Sequence, residues 1–130
     1  MSHSILVVDD NELNLKLAQQ ILTVDGYQVT AAARGQQAIE MACTHRPDLI
    51  LLDIRLPDID GLEVLRRLRS LPETKDVLIV AMTAQAMPDE IDRFVAAGCD
   101  GYIQKPISIQ SFRAEVQRQL STVPGDSPGP

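Results

Sequence analysis

The sequence predicts an α/β domain in which one parallel five-stranded sheet carries helices on both faces. Three observations lead there. Short apolar runs alternate five times with stretches of helical periodicity. Those runs are rich in Ile, Leu and Val, as strands buried on both faces are. The core must also be aliphatic: 45% of the 130 residues are hydrophobic, yet the aromatic residues are two Tyr and two Phe. By length the chain is one domain.

The elements follow in order. Residues 4–9 form a short apolar strand. A helix follows, with Leu13, Leu17, Ala18, Ile21 and Leu22 at helical spacings, Asn11 as its N-cap and Gly26 as its stop. Residues 27–32 read as the second strand. Residues 36–44 read as a shorter helix, opened by Gly35, and Pro47 ends that stretch. Residues 48–53 are the third strand. Pro57 and Gly61 bracket a loop, and residues 62–71 form a helix with Leu65 and Leu68 facing inward, stopped by Pro72. Residues 77–82 are the fourth strand. Pro88 suits the first turn of the next helix, and Asp89 and Glu90 favour its positive N-terminal end. Gly98 closes it. Residues 101–104 are the fifth strand. Ser108 is the expected N-cap of the last helix, with Ile107 and Phe112 as a hydrophobic staple, and the helix runs to about Leu120.

Five β–α units joined by right-handed crossovers give a flavodoxin-like, doubly wound (βα)5 arrangement with strand order 2-1-3-4-5. Its switch point lies between strands one and three. The domain is expected over 1–120. Residues 121–130 are rich in Pro, Gly and Ser and are expected to be a flexible tail, either free or the start of a linker.

A formal net charge of −6 argues against direct binding to nucleic acid or an anionic membrane surface. No apolar run is long enough to span a membrane, and the N-terminus lacks a signal-peptide core. Cys43 and Cys99 have no metal-ligand spacing and read as reduced thiols in a cytoplasmic protein. His3 and His45 are isolated, and no function is assigned to them.

Five polar residues stand where apolar strands run out. Asp9 and Asp10 follow Ile5-Leu6-Val7-Val8. Asp53 follows Leu49-Ile50-Leu51-Leu52. Thr83 follows the fourth strand, and Lys105 follows the fifth and precedes Pro106. In open parallel sheets, ligands bind beyond the carboxyl ends of the strands. Three carboxylates gathered there repel one another unless a cation compensates them. The set suits Mg²⁺, a hard ion held by carboxylates, waters and phosphate oxygens. It also suits attack on a phosphoryl donor: the metal and Lys105 would offset the repulsion between two anions. Asp53, alone at its strand end, is the natural acceptor, and the product would be an aspartyl phosphate.

Val8-Asp9-Asp10-Asn11, Leu52-Asp53-Ile54-Arg55-Leu56-Pro57 with Asp60-Gly61, Met82-Thr83-Ala84 and Gln104-Lys105-Pro106 together resemble the receiver domain of two-component response regulators. The resemblance covers roughly residues 4–120. Asp10-Asn-Glu-Leu-Asn14 and Lys105-Pro-Ile-Ser108 further resemble the DivK-like single-domain regulators. The resemblance implies Asp53 as phosphoacceptor and Asp9 and Asp10 as the acidic pair that holds Mg²⁺. It implies the backbone carbonyl of Arg55 as a further metal ligand and Lys105 as the phosphoryl contact. Thr83 would be the switch hydroxyl, Tyr102 the switch aromatic, and Lys105–Pro106 a cis peptide. Arg55 and Gln85 occupy positions that influence phosphate lifetime in that family. The donor would be a histidine kinase or phosphotransfer protein. A downstream protein would read the changed surface, and the chain would be a monomer or weak dimer.

Plainer readings stand beside these. Asp9 or Asp10 could cap the first helix, but Asn11 already fills that role. Asp48, Asp58 and Asp60 read as strand-start and loop residues on a solvated rim. Arg66, Arg67 and Arg69 read as a solvated helix face. Thr83 and Tyr102 are ordinary strand residues apart from their positions. Two other functions suit the architecture. A Mg²⁺-dependent phosphohydrolase using an aspartyl phosphate usually carries a second acid two residues after the nucleophile, where this chain has Arg55. A flavin- or nucleotide-binding module wants a Gly/Ser/Thr-rich loop after the first strand, where this chain has Asp9-Asp10-Asn11-Glu12.

Overall fold

The structure, a computed structural model, describes residues 3–84 and 87–121. Its parallel sheet has the order β2-β1-β3-β4-β5. The strands are β1 (Ser4–Val8), β2 (Gln28–Ala32), β3 (Leu49–Asp53), β4 (Leu78–Thr83) and β5 (Gly101–Gln104). The helices are α1 (Glu12–Val24), α2 (Gly35–His45), α3 (Gly61–Ser70), α4 (Pro88–Ala96) and α5 (Ile109–Leu120). Their boundaries lie within a residue or two of those the sequence predicts.

Strand side chains alternate between two aliphatic layers. Leu6, Val8, Ile50, Leu52, Ile79 and Ala81 meet α2, α3 and Phe94 of α4 on one face. Ile5, Val7, Leu49, Leu51, Val80 and Met82 meet α1 and α5 on the other, around the fully buried Phe112. Ile107 and Phe112 belong to this second layer, as a staple at the start of α5 requires. Leu13 departs from expectation: it is 76% exposed, one turn too early on α1 to reach the sheet.

The caps explain the helix ends. The Asn11 side chain accepts from the Asn14 N–H at 3.1 Å. Gly26 and Gly98 take positive φ angles of 92° and 107° just beyond α1 and α4. There Tyr27 N–H donates to Leu22 O and Cys99 N–H to Phe94 O, satisfying carbonyls that the helices leave open. Ser108 is the N-cap of α5 by backbone position, but its side chain makes no capping hydrogen bond. Of the expected tail, 121–130, Ser121 is the C-cap of α5, and residues 122–130 lie outside the described residues.

Candidate functional site

Sheet register brings the strand ends together. Val8 pairs with Leu52, so Asp9, one residue on, comes level with Asp53. Asp53 pairs with Met82, and Thr83 pairs with Gln104. The Lys105 N–H donates to Thr83 O at 2.7 Å, which fixes the chain as it leaves β5. The Lys105–Pro106 peptide is cis. The polar residues thus reach the same edge from four strands: Asp9 and Asp10 from β1, Asp53 from β3, Thr83 from β4 and Lys105 from β5.

Side-chain oxygens of Asp9, Asp10 and Asp53 lie within 4.8 Å of one another. Asp9 and Asp53 are buried, while Asp10 is exposed. The Lys105 ammonium stands 2.8 Å from Asp9 Oδ2 and 3.1 Å from Asp53 Oδ2. Asp9 Oδ1 accepts from the Asn11 N–H, and Asp53 Oδ1 from the Arg55 N–H. Asp9 therefore orders the turn into α1 and also faces Lys105. Asp10, Asp53, Arg55, Thr83 and Lys105 line one cavity of about 230 Å³.

Burial pushes the Asp53 carboxyl up to about 6; the Arg55 N–H opposes this, the Asp9 charge adds to it, and Lys105 opposes it. Burial works against the Lys105 ammonium, but the hydrogen bond to Asp9 and the Asp53 and Asp9 charges outweigh it, so its pKa is raised. Three carboxylates against one ammonium leave excess negative charge beside the cavity. The donors are hard oxygens, those of Asp10 and Asp53 lining that cavity and that of Asp9 beside them. This set fits a small divalent cation with waters completing its shell.

Thr83 is buried, and its hydroxyl donates to Glu90 Oε1 of α4 at 3.4 Å. Tyr102 is 48% exposed and borders an apolar space shared with Thr83, Ile91, Phe94 and Val95. Gln85 lies outside the described residues.

Three acids expected on a solvated rim, Asp48, Asp58 and Asp60, instead accept backbone N–H groups. Asp58 is exposed, but its carboxylate takes the Gly35 and Gln36 N–H groups at 2.8 and 3.0 Å, capping α2 from another loop. Asp60 caps α3 through the Leu62 N–H. Asp48 accepts from the Ser4 N–H. Arg69 overturns its assignment to a solvated face. It bonds the carbonyls of Gly98, Lys75 and Val77 and pairs with Asp100 at 2.9 Å. Asp60-Gly61 before a helix carried a legible capping signal. Nothing local marked Asp58 or the long reach of Arg69: Gly35 and Gln36, and Gly98 and Asp100, lie more than twenty residues from them in the chain.

Fold and site define a receiver domain. A family model described as the response regulator receiver domain matches residues 5–117, and the chain belongs to that family. It is 40% identical over 120 residues to the polar-differentiation response regulator DivK of Brucella anthropi, a match covering 92% of this chain and 98% of that protein. Among solved structures, the chemotaxis protein CheY4 of Vibrio cholerae superposes with a TM-score of 0.89 at 28% identity, covering 92% of this chain and 100% of that one. The receiver domain of the sensor histidine kinase PA1611 of Pseudomonas aeruginosa, solved with a magnesium ion coordinated in its active-site cleft, gives 0.86 at 34% identity. That match covers 94% of this chain and all of the other. The chain is thus a receiver domain of two-component signalling, and neither the phosphohydrolase nor the flavin reading is favoured. No helix among the described residues is long and apolar enough to cross a membrane.

Proposed function

We propose that this chain is a phosphorylation-controlled switch whose phosphoacceptor is Asp53. The observation that carries the proposal is the convergence of Asp9, Asp10 and Asp53 at one sheet edge, with the Lys105 ammonium against Asp9 and Asp53. Asp9, Asp10, Asp53 and the Arg55 backbone carbonyl would hold Mg²⁺, which when bound supplies charge neutralisation at the phosphoryl oxygens.

A carboxylate oxygen of Asp53 attacks the phosphorus of a phosphohistidine on a kinase or phosphotransfer protein. The new P–O bond forms as the P–N bond breaks, and its electron pair leaves with the imidazole. Lys105 meets the negative charge on the transferred group. The Thr83 hydroxyl then turns to a phosphoryl oxygen, and Tyr102 moves into the apolar space beside Thr83. The altered surface of α4, β5 and α5 is read by a downstream protein. The same residues assist hydrolysis of the aspartyl phosphate, so the chain is a self-limiting switch rather than an enzyme acting on a separate substrate. A cytoplasmic monomer or weak dimer fits this role.

The test is Mg²⁺-dependent incorporation of label from a small acyl phosphate. Labelling should be lost on chelation and in Asp53→Asn while the variant keeps its fold by circular dichroism. Wild-type labelling of a folded Asp53→Asn would overturn the assignment.

A further inference from the structure

We infer that Glu90 is a positioning residue that holds Thr83 in its unphosphorylated place and so sets the energy needed to switch. This rests on the reading of Asp53 as phosphoacceptor and goes beyond it to a residue on another element. The Thr83 hydroxyl donates to Glu90 Oε1 at 3.4 Å, across the gap between the end of β4 and the first turn of α4. A threonine hydroxyl has one proton to donate. It can serve the Glu90 carboxylate or a phosphoryl oxygen on Asp53, but not both at once. Glu90 therefore competes with the phosphoryl group for Thr83.

The anchoring of α4 suits such a contact. Phe94 is the helix's buried side chain. Its far end is tied down: Arg69 donates to Gly98 O at 2.7 and 3.0 Å and pairs with Asp100, whose carboxylate also receives the Ile79 N–H. The end that carries Glu90 faces the site, where Glu90 and Thr83 line the same apolar space as Tyr102. The contact is long, and its effect should be correspondingly modest.

Beryllofluoride, a tetrahedral phosphoryl mimic that adds to carboxylates, tests the inference. Its binding in saturating Mg²⁺ is followed by fluorine NMR of the bound adduct. Removing a contact that exists only in the unphosphorylated arrangement raises affinity for the mimic. Glu90→Ala should therefore bind it roughly threefold more tightly, with Mg²⁺ affinity alone unchanged. Asp89→Ala, which removes a neighbouring first-turn charge but not the contact, should leave the affinity unchanged. In a Thr83→Ala background, Glu90→Ala should have no further effect. An unchanged or weaker affinity in Glu90→Ala overturns the inference. So does an equal gain in Asp89→Ala, or a gain that persists without the Thr83 hydroxyl. Failure of the wild-type chain to take up beryllofluoride would instead overturn the phosphoacceptor reading on which the inference stands.

Discussion

Lys105 Nζ lies 3.1 Å from Asp53 Oδ2, although the two residues leave strands separated by β4. The ammonium is the cation that makes neighbouring buried carboxylates tolerable in the absence of metal. Lys105→Ala leaves Asp9 and Asp53 facing each other without it. We expect the variant to lose on the order of 1–3 kcal/mol of stability in chelator, and less when Mg²⁺ is present. Urea denaturation with and without Mg²⁺ measures the difference. Equal losses in both conditions would mean that Lys105 acts by packing and not by charge.

Asp10 is the exposed member of the acidic group. Asp10→Asn should lower Mg²⁺ affinity by about tenfold or more without destabilising the metal-free domain, because it removes a like charge. Calorimetric titration with Mg²⁺ reads the first quantity and thermal unfolding in chelator the second.

Gly61 opens α3 against the chain that leaves Asp53. A Cβ there would lie 2.6 Å from both Ile54 Cα and Ile54 O, and these are backbone atoms that no rotamer change can clear. Gly61→Ala should cost about 1–3 kcal/mol or more. It should also weaken Mg²⁺ binding, because the displaced segment leads directly to Arg55. A destabilised variant with wild-type Mg²⁺ affinity would separate the loop from the site.

The Gln36 and Gly35 N–H groups hold the Asp58 carboxyl below its ordinary value. A group with a depressed folded pKa contributes stability above its unfolded pKa, near 4, and that contribution disappears as pH falls through the folded value. Asp58→Asn should therefore be less stable than wild type at neutral pH, and the gap should close as pH drops below about 4. Urea midpoints across that range supply the comparison; a gap independent of pH would show that charge plays no part in the cap.

The fold was legible because its signals are local. Apolar runs marked the strands, Asn11, Gly26 and Gly98 marked helix ends, and the five residues at strand ends marked the edge on which they converge. What escaped depends on contacts distant in sequence. Arg69 sits among Arg66 and Arg67 on a helix that reads as solvated, and only the fold brings Gly98 and Asp100 to it. Asp58 looked like an ordinary loop acid because the helix it caps begins twenty-three residues earlier. Glu90 carried a sufficient local explanation, the positive end of α4, which concealed its contact with Thr83.

The most direct test of the central claim is to locate the phosphoryl group. The protein would be incubated with an acyl phosphate and Mg²⁺, the acyl phosphate product reduced with borohydride, and the modified residue mapped by peptide mass spectrometry. The account predicts one adduct, at Asp53, absent when Mg²⁺ is chelated. A modification at Asp9, Asp10 or elsewhere, with Asp53 unaltered, would contradict it.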